Sequence, residues 1–164
     1  MTEPAPEDFT RALSAARDPG AAYDALHRLT DTLFGARLFT VMTVDMDAML
    51  ARRAYTSDPE SYPTSGTKPV EMNAWFEVVH GRHECFVANT LAEIAEVFPD
   101  HALIGSLGCG SVVNLPVILR GDLVATVNAL HEEGHYAPDR VASMHRDLTL
   151  PALAAVLVER TFLP

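Results

Sequence analysis

Two asparagines carry the clearest chemical signal in this sequence. Asn114 and Asn128 stand inside apolar, strand-like runs, SVVNLPVIL and LVATVNALH. A polar side chain in such a run needs a hydrogen-bond partner. If the turn between the runs is the three residues Arg120, Gly121 and Asp122, position 114 falls opposite 128 and the two amides share one face. A two-residue turn would put them on opposite faces, because side chains alternate along a strand. On one face, they either satisfy each other as a structural pair or supply a polar handle to an apolar pocket.

A second group surrounds the proline-rich stretch 57–69 (SDPESYPTSGTKP), where Tyr55, Tyr62, Lys68 and Trp75 gather. Long loops in compact domains are uncommon and frequently functional. A lone tryptophan on a helix ordinarily belongs to a core, but beside such a loop Trp75 can equally form an aromatic wall. His101, Ser106, Cys109 and Ser111 crowd the glycine-rich turn before the first asparagine strand. There Gly105, Gly108 and Gly110 also permit unusual backbone angles, so plain turn chemistry explains the segment as well.

The run His131-Glu132-Glu133-Gly134-His135 matches H-E-x-x-H. Zinc hydrolysis by that motif requires a helix, so that both imidazoles lie on one face. Here His131 closes a strand, Gly134 disfavours a helix and Pro138 follows closely, so no metal site is expected. His83-Glu84-Cys85 lacks a spaced partner pair for a metal. Cys85 and Cys109, the two cysteines, can form at most one disulfide and are expected as reduced thiols.

The elements that must position these residues follow from patterning. The chain has 164 residues, which fits one domain of roughly 100–200 residues. With 12 basic and 22 acidic side chains its formal charge is −10, and the arginines are scattered. Nucleic-acid affinity comes mostly from basic groups on phosphates, so that role is excluded as an expectation. Val112–Leu119 is far shorter than the roughly 18 apolar residues of a membrane span, and the start of the chain lacks a basic, apolar leader. A cytoplasmic protein is expected.

Residues 1–17 read as a loose or helical arm and 18–164 as the domain. Asp18-Pro19 opens a helix with Tyr23, Leu26, Leu29 and Leu33 on one face and Gly35 as its stop. Strands are expected over 37–45, 49–57, 84–88, 111–119 and 123–131, and helical segments over 70–80 and 90–98. A last helix begins at Pro138 and runs towards Thr161, and Pro151 should kink or split it. This order describes an α+β domain with a five- or six-stranded, mainly antiparallel sheet. The terminal helices would cover one face, and the central loops and short helices would cover the other.

The segment 98–136 resembles the second half of a GAF domain. The resemblance lies in the serine-led strand Ser111–Pro116, the turn at Gly121, the strand Ala125–Leu130 and the acidic loop ending in Tyr136. It extends over roughly 22–160, with Ala125 standing where the family usually has glycine. It implies a fold that senses small molecules or redox state and commonly pairs through its terminal helices. It also favours the three-residue hairpin turn and places 101–111 over the pocket. With the residues singled out above, the candidate ligand contacts are Tyr55, Trp75, His101, Cys109, Ser111, Asn114 and Asn128, for a ligand whose identity is not implied. A homodimer and a separate output protein are the expected partners.

Free methionine-(R)-sulfoxide reductases, compact GAF proteins that use cysteine chemistry, are resembled more weakly through the spacing of Cys85 and Cys109. Their pattern has a cysteine where this chain has Leu103–Ile104, and carboxylates where it has Val112, Asn128 and Leu130. A ligand-responsive sensor is therefore the leading expectation. A thiol-dependent reductase and a purely structural dimerisation module are the alternatives.

Overall fold

A computed structural model describes residues 4–164; Met1–Glu3, part of the expected arm, lie outside the described residues. The rest of that arm forms helix α1 (Ala5–Ser14), and its Phe9 is buried in the main core. Helix α2 (Pro19–Phe34) begins where Asp18 Oδ1 accepts the Ala21 N–H at 2.8 Å and ends at Gly35, whose φ is +82°. Glycine takes this positive φ without a Cβ penalty, and its N–H bonds the carbonyls of Thr30 and Asp31. Tyr23, Leu26 and Leu29 are buried as the spacing predicts, whereas Leu33 is 40% exposed and Phe34 takes the inward position.

Six strands form one antiparallel sheet in the order β3-β2-β1-β6-β5-β4. They are β1 (Leu38–Asp45), β2 (Leu50–Thr56), β3 (Lys68–Pro69), β4 (Phe86–Ala88), β5 (Ser111–Leu119) and β6 (Asp122–His131). The expected helix over 70–80 starts later. Val70 N–H bonds Met49 O at the sheet edge, and Asn73 Oδ1 caps Phe76 N–H to open α3 (Ala74–Phe76). The helix then widens into a π turn over Glu77–Gly81. Short helices α4 (Leu91–Ala95) and α5 (His101–Ser106) follow β4.

Both faces of the sheet are buried, against different layers. Phe39, Val41, Val113, Leu115 and Val127 pack with α2 and with α6 (Pro138–Arg160), which contributes Met144, Leu148, Ala152 and Val156. On the other face Leu38, Val112 and Leu130 meet Ile94 and Ile104 of the short helices. Each such fully buried aliphatic side chain stabilises the fold by about 1.5–3 kcal/mol. The β5–β6 hairpin and the β1–β6 pairing form the centre of this two-layered core.

Helix α6 departs from expectation in two respects. It runs through Pro151 without splitting, because Leu148, Ala152 and Ala155 are buried on either side of the proline and hold both halves against the core. It is 23 residues long and contains an 18-residue window of mean hydropathy 1.3, so it is also long and apolar enough by length and composition to cross a membrane. Arg146 and Asp147 interrupt its pattern, so the helix holds no long continuous apolar run. Part of that apolar character is a stripe buried against α2 and the sheet, and the rest, including Leu150 and Leu157, stays exposed.

The hairpin turn differs from the expected one as well. Leu119 pairs with Asp122, leaving a two-residue turn of Arg120 and Gly121, both at positive φ (56° and 85°). Such turns match the twist of the flanking strands. Taken alone, this turn would put Asn114 and Asn128 on opposite faces. A bulge restores the register: Val117 pairs with Ala125 and Ile118 with Leu123, so Val124 is the extra residue and Asn114 lies opposite Asn128 after all.

Candidate functional site

Between the sheet and the segments 68–76 and 97–104 lies a cavity of about 470 Å³. Its floor is built from cross-strand rows. Leu38, Leu130 and Val112 form an apolar row; Thr40, Asn128 and Asn114 form a polar row beside it; Met42 and Thr126 begin the next. Trp75, Phe76, Phe98 and Ile104 wall the space from the loop side. An apolar cavity with a few convergent polar groups is the usual form of a small-molecule site.

The polar row is a directed chain of hydrogen bonds. Trp75 Nε1–H donates to Asn114 Oδ1 (2.9 Å), Asn114 Nδ2–H to Asn128 Oδ1 (2.7 Å), and Asn128 Nδ2–H to Thr40 Oγ1 (3.1 Å). Indole can only donate, so Trp75 determines which end of the Asn114 amide faces it. Asn114 then sets the orientation of Asn128 in turn. The three floor residues are only 4–7% exposed. Thr126, 1% exposed on the same floor, has the one buried side-chain polar atom without a hydrogen-bond partner among the described residues.

At one end the long loop is tied down across the cavity. Tyr62 donates its hydroxyl to Asp100, and the Arg53 guanidinium lies 4.9 Å above the Tyr62 ring while bonding Pro63 O. Burial, followed by the adjacent Asp100, pushes the Tyr62 hydroxyl well above its ordinary pKa, so it remains a donor.

The structure brings together three of the seven residues expected at the site, Trp75, Asn114 and Asn128. Tyr55 is on the opposite face, packed on Tyr23 and Phe39 and bonded to Asp24; burial raises its pKa to about 12. A bulge explains this placement. Val41 pairs with Tyr55 and Met42 with Arg53, so the extra residue Ala54 divides two positions that would share a face in a regular strand. Arg53 lines the cavity instead. His101 turns back onto Phe98 O, and Ser111 is spent on the carbonyls of His131 and Glu132. Cys109 is buried among Leu38, Ile104 and Val112, beneath the cavity surface.

Sequence reasoning missed Thr40, Thr126 and Arg53. Thr40 sits in the run LFTVMTV, whose alternate residues are apolar on both faces, so periodicity gives no sign of which face carries the site.

Both cysteines are free thiols. Burial, with some help from Glu84, pushes Cys85 up to about 11; burial also raises Cys109, against the lowering influence of Arg37. Cys85 packs on the helix-side core and Cys109 in the loop-side cluster. A thiol attacks as thiolate, and neither environment favours that form.

The H-E-x-x-H residues also lie outside the cavity. His131 ends β6, Gly134 turns the chain at φ +76°, and the two imidazoles stack at 3.7 Å. His131, Glu132 and His135 place potential ligand atoms within 4.8 Å of one another. However, His131 Nδ1 accepts the Glu132 N–H and His135 Nε2 bonds Phe34 O. Burial first, then His135 and Arg37, lower the His131 pKa, against the raising influence of Glu132. Nearby, Glu133 Oε1 accepts the Leu91 N–H at 2.9 Å, which lays the glutamate side chain directly over Gly110.

No protein-family model and no curated protein matches this chain. Solved structures do. The GAF domain of a phosphoenolpyruvate-protein phosphotransferase from Coxiella burnetii is similar at 16% identity and a TM-score of 0.68, over 96% of this chain and 92% of that one. A GAF domain/HD domain protein from Geobacter sulfurreducens is similar at 14% identity and a TM-score of 0.69, over 90% and 98%. Free methionine-R-sulfoxide reductase from Neisseria meningitidis, solved with its substrate, is similar at 14% identity and a TM-score of 0.60, over 97% and 92%. Likeness at such identities speaks to fold and leaves function to the site. The six-stranded antiparallel sheet, with terminal helices on one face and a loop-covered cavity on the other, is the GAF fold.

Proposed function

We propose that this chain is a sensory domain that binds a small molecule in the cavity above the polar row. The observation that carries this reading is the cavity of about 470 Å³, apolar in its walls and crossed by one oriented line of hydrogen bonds. A core that needed only filling would place apolar side chains at 114 and 128, since a buried amide gains little over a well-packed aliphatic group. Thiol-dependent reduction has less support, because desolvation raises both thiols, the half-buried Cys85 and the buried Cys109.

The test is a thermal-shift screen with metabolites, cyclic nucleotides, tetrapyrroles and methionine sulfoxide, read beside the fluorescence of Trp75, the chain's single tryptophan. A ligand at about 100 times its Kd adds about 2.7 kcal/mol of stability. Its binding will also perturb the indole that donates to Asn114. A panel in which nothing moves either signal rejects the sensor reading. Production of free methionine from the sulfoxide would favour the reductase instead.

Signal output is proposed to run through a homodimer and a separate partner protein. On the outer face of α6, Leu150 is 72% and Leu157 42% exposed, with Phe162 and Leu163 exposed beyond the helix. Two copies of this apolar stripe packed together would remove it from water. We expect a dimer by sedimentation equilibrium and a folded monomer for Leu157→Glu. A wild-type chain that stays monomeric at high concentration rejects the dimer.

A further inference from the structure

The hydrogen-bond polarity of the cavity floor constrains the chemistry of what it holds. Because Trp75 can only donate, each carbonyl oxygen in the row already accepts from its neighbour, and the row ends on Thr40 Oγ1 as an acceptor. The Thr40 hydroxyl proton has no acceptor among the described residues. Across the β1–β6 pair, Thr126 sits one row further along the same floor, and its hydroxyl is unpartnered. Two buried hydroxyl donors without acceptors therefore stand on adjacent rows of the same floor. Such groups carry a desolvation cost that a matching ligand atom relieves.

Charge lines the cavity only from β2, β3 and the covering loops. Strands β1, β5 and β6 contribute no ionisable side chain to the cavity lining. Arg53 is occupied by Pro63 O and the Tyr62 ring, Asp100 receives the Tyr62 hydroxyl, and Lys68 and Glu71 are exposed. An ion placed over the polar row, away from Arg53 and the charged loop residues, would lose its hydration without an adjacent counter-charge, which costs far more than a neutral polar group does.

We infer that the cavity takes an uncharged, largely apolar molecule that presents a hydrogen-bond acceptor, a carbonyl oxygen or ring nitrogen, to the hydroxyls of Thr40 and Thr126. This inference rests on the cavity being a ligand site. The ligand's apolar body lies against Leu38, Met42 and Leu130, and its acceptor takes the protons that the polar row leaves unused.

Four bicyclic probes of one skeleton test this: 2-acetylnaphthalene, naphthalene, 2-naphthoate and 2-naphthylmethylammonium. Binding to the full chain is followed through the single indole N–H resonance of Trp75. 2-Acetylnaphthalene should bind roughly tenfold tighter than each of the others, the scale of one well-made hydrogen bond. Thr126→Val removes a hydroxyl that bonds nothing in the fold, so this variant will fold. It or Thr40→Val should cut the preference for the ketone several-fold, while Thr40→Ser should keep it. Equal binding of the ketone and naphthalene, tightest binding by either ion, or a preference unchanged in both valine variants overturns the inference while leaving the cavity a binding site. An indole resonance that no probe moves overturns the site itself.

Discussion

Replacing Asn128 with alanine will cost about 2–3 kcal/mol of unfolding free energy and abolish the ligand-dependent thermal shift. The side chain accepts from Asn114 at 2.7 Å and donates to Thr40 at 3.1 Å, so its loss breaks two links of the row at once. Asn114, only 4% exposed, would keep an amide N–H aimed at empty space. Most of the cost is that desolvated donor, with a smaller part from the void left by the shortened side chain. Urea unfolding measures it, and an unchanged denaturant slope will show that compactness is preserved. The double variant with Asn114→Ala should cost less than the sum of the two singles, because the second change removes the group that the first stranded. A single-variant loss below about 0.5 kcal/mol, the ordinary range for surface changes, would show that the row is not a coupled unit.

A second large effect lies outside the cavity, where Gly110→Ala should destabilise by about 2 kcal/mol. A Cβ built on Gly110 would stand 2.2 Å from Glu133 Cγ. Glutamate is flexible, but this one is held because Glu133 Oε1 accepts the Leu91 N–H that opens α4. Relieving the clash means surrendering that cap on the helix that carries the buried Ile94. The prediction therefore has a signature that simple loss of a glycine lacks. In a Glu133→Ala background, Gly110→Ala should be close to neutral in chemical denaturation. Equal costs in both backgrounds would show that backbone conformation, rather than this contact, requires the glycine.

The origin of these two effects shows where sequence reading succeeds. Helix α2 was legible at both ends because its signals are local: Asp18 bonds an N–H three residues on, and Gly35 takes a positive φ that other residues rarely adopt. The strands of the β5–β6 hairpin were legible from the same kind of short-range pattern, and so was the need of Asn114 and Asn128 for partners. By contrast, the 2.2 Å approach at Gly110 joins residues far apart in the chain, and nothing in the glycine-rich run 105–110 announces it.

Two bulges account for the principal disagreements about the site. One extra residue, Ala54, sends Tyr55 to the helix face and leaves Arg53 on the cavity face. Another, Val124, offsets a hairpin turn one residue shorter than expected and keeps the asparagines together. The expected pairing thus holds, but through a compensation that turn length alone does not show. A bulge changes side-chain parity without changing composition, so alternation cannot reveal it when both faces of the sheet are apolar.

By itself, the sequence determined the order of the longer elements, though not the short β3 within the expected loop 57–69, together with the antiparallel α+β class and the two polar residues at the centre of the sheet. Those properties depend on caps, turn residues and periodicity within a few positions of each other. The tertiary structure decided which face became a cavity, that Thr40 and Thr126 complete its floor, and that Trp75 orients the row from across the space. The physical reason is that a cavity is what packing leaves unfilled. It is set by the distance between layers and the parity of each strand, and both depend on contacts between segments remote in the chain.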